Sequence, residues 1–166
     1  LAPTLLEAVS VPPMKGMDGR SFLPVLRGES QDGRDRVFTH INTIASKRRY
    51  TMRSVQNKRY GYIWNGWSDG KTFFKNESKS GLTYKAMVAA ARNNPTIAAR
   101  VKHFDYRVPE ELYDYEKDLD ARHNLVGQAG QKARLEKMRA ALLKHMTETG
   151  DPQRESFEAF LKQVGG

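Results

Sequence analysis

Arg49-Tyr50-Thr51-Met52-Arg53-Ser54-Val55-Gln56-Asn57-Lys58-Arg59-Tyr60-Gly61-Tyr62-Ile63-Trp64 reads as two strands and a turn. Arg49 to Gln56 and Arg59 to Trp64 look like strands, and Asn57-Lys58 supplies the turn, so the two runs are expected to pair as a hairpin. In the second run Tyr60, Tyr62 and Trp64 alternate onto one face, while Arg59, Gly61 and Ile63 take the other. The surroundings are basic. From Lys47 to Ser68 there are six Lys or Arg side chains and no acid. A stretch that is basic and aromatic is either a sheet with one wet face or a surface that meets a polyanion. Stacking of bases on Tyr60, Tyr62 and Trp64 is mechanically reasonable. Three aromatics on one strand face are more often core beneath a helix. No RNP-type, zinc-finger or helix-turn-helix pattern accompanies them, so nucleic acid is not the expected partner.

Working outward, Val37 to Ile44 is a further strand, and Val108 to Tyr115 is short and extended enough to add another. The strongest helical signal runs from Gln131 to His145, where Leu135, Met138, Leu142 and Met146 lie three and four apart. Gly150 stops it, and Asp151-Pro152 opens a last helix with Phe157, Phe160, Leu161 and Val164 inward. Thr83 to Arg92 is helical, with Tyr84, Met87, Val88 and Ala91 on one face. Asn94-Pro95 caps and begins the next helix. Near the start, Pro3 suits a first helical turn, with Leu5, Leu6 and Val9 as a buried stripe. Ser10 to Gly19 is loop, Ser21 caps a short helix over Phe22 to Arg27, and Gly28 ends it. Strands followed by segregated helices predict an α+β fold: a small antiparallel β-sheet packed against a long C-terminal helix. The polar run Gln31 to Arg36 reads as a linker that sets 1–30 apart from the α+β part over 31–166.

A net charge of +9 and a pI near 9.8 favour anionic partners. An apolar fraction of 39% and a mean hydropathy of −0.70 suit a thin layered domain or a piece that leans on a partner. No apolar run approaches the length of a membrane span, so no membrane partner is expected. Leu1-Ala2-Pro3-Thr4 has no start Met or basic leader and reads as a helix cut from something longer. The absence of cysteine excludes disulfides, thiolate zinc sites and cysteine nucleophiles.

No pair of the histidines His40, His103, His123 and His145 has metal-site spacing. His40, beside Asn42 and Thr43, is the one considered for a site, and His145 is read as a helix-face residue. Glu110-Glu111, Asp114, Glu116, Asp118 and Asp120 lack the order of a calcium loop and are expected as a solvated turn. Gly16-Met17-Asp18-Gly19-Arg20-Ser21 is not a phosphate loop, because it lacks the Gly-Lys-Ser/Thr ending. Gly127 to Gly130 is at most a weak anion nest.

The strings themselves carry more. Leu1-Ala2-Pro3-Thr4-Leu5-Leu6-Glu7 with Val11-Pro12, then Met17-Asp18-Gly19-Arg20-Ser21-Phe22-Leu23-Pro24-Val25-Leu26-Arg27-Gly28, resembles the segment that links the catalytic core of sulfatases to their C-terminal subdomain. Arg53-Ser54-Val55 and Tyr60-Gly61-Tyr62-Ile63 resemble that subdomain's strand pair. Glu111-Leu112-Tyr113-Asp114, with Asp118 and Asn124-Leu125, resembles its late strand and turn. Tyr50-Thr51-Met52-Arg53-Ser54-Val55-Gln56, the long insert from Trp67 to Arg107, and Glu148-Thr149-Gly150-Asp151-Pro152 are similar to the heparan N-sulfatase (sulfamidase) branch. Asp118-Leu119-Asp120-Ala121 departs from the family pattern, which has Pro after the Asp and Glu at the fourth place.

The resemblance implies an alkaline-phosphatase-like parent that uses a formylglycine and a calcium ion. The formylglycine comes from a Cys/Ser-x-Pro-x-Arg motif. Here Ser10-Val11-Pro12-Pro13-Met14 has Met where Arg is required, so no catalytic residue and no metal ligand is expected in this chain, and no cofactor of its own. The implied role is to support an N-terminal catalytic domain and shape its pocket, with His40, Asn42 and Arg53 as candidate substrate-binding residues at the rim. Arg53 pairing with a carboxylate inside the domain is an equal expectation. Lys47, Arg48 and Arg49 would form a surface for a sulfated glycan. The parent is expected to be periplasmic or secreted, or lysosomal in an animal. The competing expectation is a noncatalytic polyanion-binding module.

Overall fold

The structure is a computed structural model and describes residues 1–44 and 47–165. It divides into two compact units, Leu1–Asp35 and Arg36–Gly166, where the sequence put the boundary at residue 30.

In the first unit α1 (Ala2–Ala8) and α2 (Leu23–Leu26) flank a loop. The expected α1 stripe is not buried: Leu5 and Val9 are exposed and Thr4 is buried instead. The Thr4 hydroxyl accepts the Phe22 N–H at 3.1 Å, so a polar contact sets this turn. The Ser21 hydroxyl accepts the Leu23 N–H at 3.1 Å, and Gly28 takes the left-handed φ of +84° that ends α2.

The second unit is built on one antiparallel sheet in the order β1-β2-β3-β4: β1 (Arg36–Thr43), β2 (Arg49–Asn57), β3 (Tyr60–Asn65) and β4 (Glu110–Asp114). The β2–β3 hairpin turns where the side chain of Asn57 accepts the N–H groups of Arg59 (2.9 Å) and Tyr60 (2.7 Å). This is the local bond that favours Asn in turns. Register pairs Arg53 with Trp64 and Val55 with Tyr62, then Tyr62 with Leu112 and Trp64 with Glu110. Period-2 alternation therefore stacks Val55, Tyr62 and Leu112 on one face. The far edge of β4 is occupied: Leu112 N–H donates to the Asn124 side chain, and Leu125 N–H donates to Leu112 C=O.

Two helices cover that face. α5 (Lys132–Glu148) buries Leu135, Met138, Leu142 and Met146, and α6 (Arg154–Val164) buries Phe157. With Val55, Tyr60, Tyr62, Trp64 and Leu112 they form the core. Each such side chain is worth roughly 1.5–3 kcal/mol when buried. The hairpin aromatics are thus enclosed by protein and cannot stack on bases. Phe160 and Leu161 pack at the core margin, while Val164 is exposed.

The insert forms α3 (Leu82–Ala90) and α4 (Pro95–Tyr106). Asn94 caps α4 by accepting from Thr96 and Ile97. α3 buries no residue, against the expected apolar face. A second aromatic cluster joins Tyr50, Trp67 and Phe74, with edge-on contacts of 4.8–4.9 Å from Tyr50. The Tyr50 hydroxyl donates to Phe73 C=O and accepts from Lys75 N–H, which ties the insert to β2.

Candidate functional site

His40 and Arg53 face each other across the β1–β2 pair. The loop after α5 brings Asp151 to them, and α5 brings His145. Together they line a recess of about 30 Å³, the space of roughly one water molecule. Arg53 is 3% exposed. Its Nε and Nη2 donate to the two Asp151 carboxylate oxygens at 2.5 and 2.9 Å, and its Nη1 donates to the carbonyls of Ile41 (3.2 Å) and Met52 (2.9 Å). Burial works to raise the Asp151 carboxyl, but hydrogen bonds from Arg53 and from the Gln153 N–H outweigh it, and its pKa lies below the ordinary value. The guanidinium therefore clamps the sheet edge to the α5–α6 loop. His145 stacks flat on Phe38 at 3.9 Å.

His40 is exposed beside this clamp, and Asn42 is exposed where the β1–β2 register shifts between Ile41 and Thr43. Lys47, Arg48 and Arg49 are exposed at the start of β2, with Lys47 at φ +58°. The geometry thus groups His40 with Arg53, while Asn42 lies outside the recess.

The carboxylates of β4 are not a solvated turn. Glu110, Glu111 and Asp114 are all buried. Glu110 accepts from the Tyr62 hydroxyl at 2.9 Å and from Arg139 Nε at 2.9 Å. Glu111 is fully buried on the opposite face and accepts from Asn65 (2.7 Å), Arg107 (2.8 and 2.9 Å) and the Tyr113 hydroxyl (2.5 Å), with His103 Nε2 at 3.4 Å. Burial raises the Glu111 carboxyl, yet His103, Arg107 and Tyr113 together hold it below its ordinary range. Asp114 is held down to about 2 by its hydrogen bonds from Arg59. Satisfied charges like these fix the partners of β4 rather than offer reactive groups. Asp118 turns inward to accept the His123 N–H at 2.7 Å. Glu116 and Asp120 are the exposed members, paired with Arg59 at 2.7 Å and Arg122 at 2.6 Å.

Sequence reasoning did not find Asp151, Arg107 or Arg139. The available signal was the strand alternation of Glu111 with Tyr113, which places two polar groups on one covered face. Among the described residues no three His, Asp or Glu side chains converge as metal ligands, and no helix is long and apolar enough to cross a membrane.

No protein-family model matches the chain. It is 29% identical over 152 residues to an ulvan-active sulfatase of Formosa agariphila, covering 90% of this chain and 28% of that protein. Among solved structures it is similar to a 2-O GAG sulfatase, with a TM-score of 0.60, 22% identity, 93% of this chain and 25% of the other covered. It is also similar to a protein solved with its substrate D-glucosamine-2-N,6-O-disulfate, with a TM-score of 0.60, 16% identity, 92% of this chain and 24% of the other covered. The chain therefore spans about a quarter of the length of these proteins. The structural likenesses show a shared α+β fold, and the sequence likeness to the ulvan-active sulfatase runs through nearly the whole chain.

Proposed function

We propose that this chain is the C-terminal subdomain of a sulfatase acting on a sulfated polysaccharide, and that it supports a catalytic domain and shapes the rim of its pocket. The observation that carries this is the match to the ulvan-active sulfatase over 90% of the chain, at about a quarter of that protein's length. The finer reading is a heparan-type glycosaminoglycan substrate with an N- or O-sulfate. Support comes from the glucosamine disulfate bound by one structural neighbour and from another being a 2-O GAG sulfatase. Such a parent is expected to be periplasmic or secreted, where polymeric glycans are met, or lysosomal in an animal.

In this reading the residues have separate jobs. Arg53, Asp151, Glu110 and Arg139 hold the sheet to its helices. His40 and Asn42 stand at the exposed edge, where a rim contact needs them. Lys47, Arg48 and Arg49 lie on the same edge without burial and would attract an anionic chain. Calcium and formylglycine do not fit here: no converging ligand set exists among the described residues, no cysteine exists, and Met14 replaces the Arg of the maturation motif. No step of hydrolysis is assigned to these residues.

The test is sulfate release from N-sulfated heparan disaccharides and from ulvan oligosaccharides. It compares the isolated chain with a complete polypeptide that carries it. The expected result is release by the complete polypeptide alone, lowered by His40→Ala or Asn42→Ala. Release by the isolated chain, or none by the complete polypeptide on any sulfated glycan, would overturn the proposal.

A further inference from the structure

We infer that the cavity between α3, α4 and the Asp118–His123 turn is a binding site for an anionic saccharide, held through a sulfate or carboxylate oxyanion. This cavity is separate from the His40–Arg53 edge. At about 1100 Å³ it lies just above the roughly 300–1,000 Å³ of ligand pockets.

Its wall carries the chemistry such a ligand needs. Arg100, His103, Arg122 and His123 line it together with one carboxylate, Asp120. Two guanidiniums against one acid leave a net positive wall without counting the imidazoles, which add hydrogen-bond donors. Asp120 is engaged by Arg122 at 2.6 Å, so its charge is already partly offset. Asp118 stands behind the wall, with its carboxylate 3.5 Å from His123 Nδ1. Met87, Pro95 and Ile97 provide an apolar surface of the kind that meets the C–H face of a sugar ring.

The polar groups are held in place before any ligand arrives. His103 Nε2 lies 3.4 Å from both the Glu111 carboxylate and the Tyr113 hydroxyl, and the buried Glu111 is itself fixed by Arg107 and Asn65. Arg100 donates to the Ala121 carbonyl at 3.1 Å and lies 3.4 Å from that of Asp120, which pins the turn where Ala121 adopts φ +50°. Preset donors of this kind lower the ordering cost of binding. The buried Glu111 network thereby also orients the imidazole at the cavity floor.

The choice of a glycan ligand rests on the sulfatase reading, whereas the cavity and its donors do not. The experiment is NMR of the histidine imidazoles in the full chain, titrated with a trisulfated heparin disaccharide and with its desulfated uronic counterpart. His103 and His123 signals should shift saturably while that of His145, stacked on Phe38, stays. A shift with the sulfated probe alone identifies sulfate as the recognised group, and a shift with both identifies the carboxylate. Arg122→Ser and His123→Ala, at side chains 65% and 78% exposed, should keep the melting temperature. Each should weaken binding about tenfold, the loss expected for one charge-assisted hydrogen bond. Unmoved His103 and His123 signals at saturating probe, or unchanged affinity in both variants, would overturn the site. Failure of the sulfatase reading would show separately, as absent sulfate release from the complete polypeptide while these imidazole shifts persist.

Discussion

Replacing Arg53 by Met should destabilise the second unit by about 3 kcal/mol, the low end of the roughly 3–5 kcal/mol seen when one partner of a buried ion pair is removed. The low end applies because Asp151 keeps 15% side-chain exposure and still accepts the Gln153 N–H at 2.8 Å. Two carbonyls, of Ile41 and Met52, also lose their shared donor. The assay is urea unfolding followed by circular dichroism. With a slope near 2 kcal/mol/M, typical of small domains, the midpoint should fall by about 1.5 M at unchanged slope. Asp151→Asn should cost less, since the amide can still accept from Arg53. Arg53→Met combined with Asp151→Asn should cost clearly less than the two single losses added, because contacting residues couple. A change within about 0.5 kcal/mol for Arg53→Met, or strict additivity in the cycle, would refute the clamp.

Gly61→Ala would drive a Cβ into the Tyr115 ring, 2.7 Å from its Cζ, so stability should drop by the roughly 1–3 kcal/mol of overpacking, with partial recovery when Tyr115→Ala is added. Leu142→Ala removes a fully buried core side chain and should cost about 3 kcal/mol by denaturant titration. Acid should unfold the second unit. Glu111 and Asp151 have native pKa values depressed below 4.5 and 3.8, so the unfolded chain binds more protons as pH falls. Their stabilisation is complete above these values and is lost as pH drops through the native ones. A pH series of melting temperatures should be level near neutrality and fall below about pH 4.5. Glu111→Gln should reduce that acid slope.

The sheet was legible because its alternation is local. Tyr60, Tyr62 and Trp64 declare a face, Asn57 declares the turn, and Leu135, Met138, Leu142 and Met146 declare the helix that covers the face. What stayed hidden depends on partners far along the chain. Arg53 is separated from Asp151 by 98 residues, so its charge reads as exposed until the α5–α6 loop is placed. The clustered acids of β4 resemble a wet turn for the same reason: Arg59 and Arg139 come from distant segments, although Arg107 stands only four residues before Glu111. The α1 stripe was misread in the other direction. Leu5 and Val9 have helical spacing, but within their own unit nothing encloses them. Sequence reasoning named His40, Asn42 and Arg53 together; the β1–β2 register sets His40 opposite Arg53 and leaves Asn42 outside their recess. The exposure that separates their roles was not visible in the sequence.

The reading frame ahead of the Leu1 codon decides between a subdomain and a free-standing polyanion module. We predict an in-frame Cys/Ser-x-Pro-x-Arg motif upstream, followed by carboxylates, Lys and His able to hold calcium and sulfate. A frame that begins at or near Leu1, with no such motif, would contradict the assignment of this chain to a sulfatase.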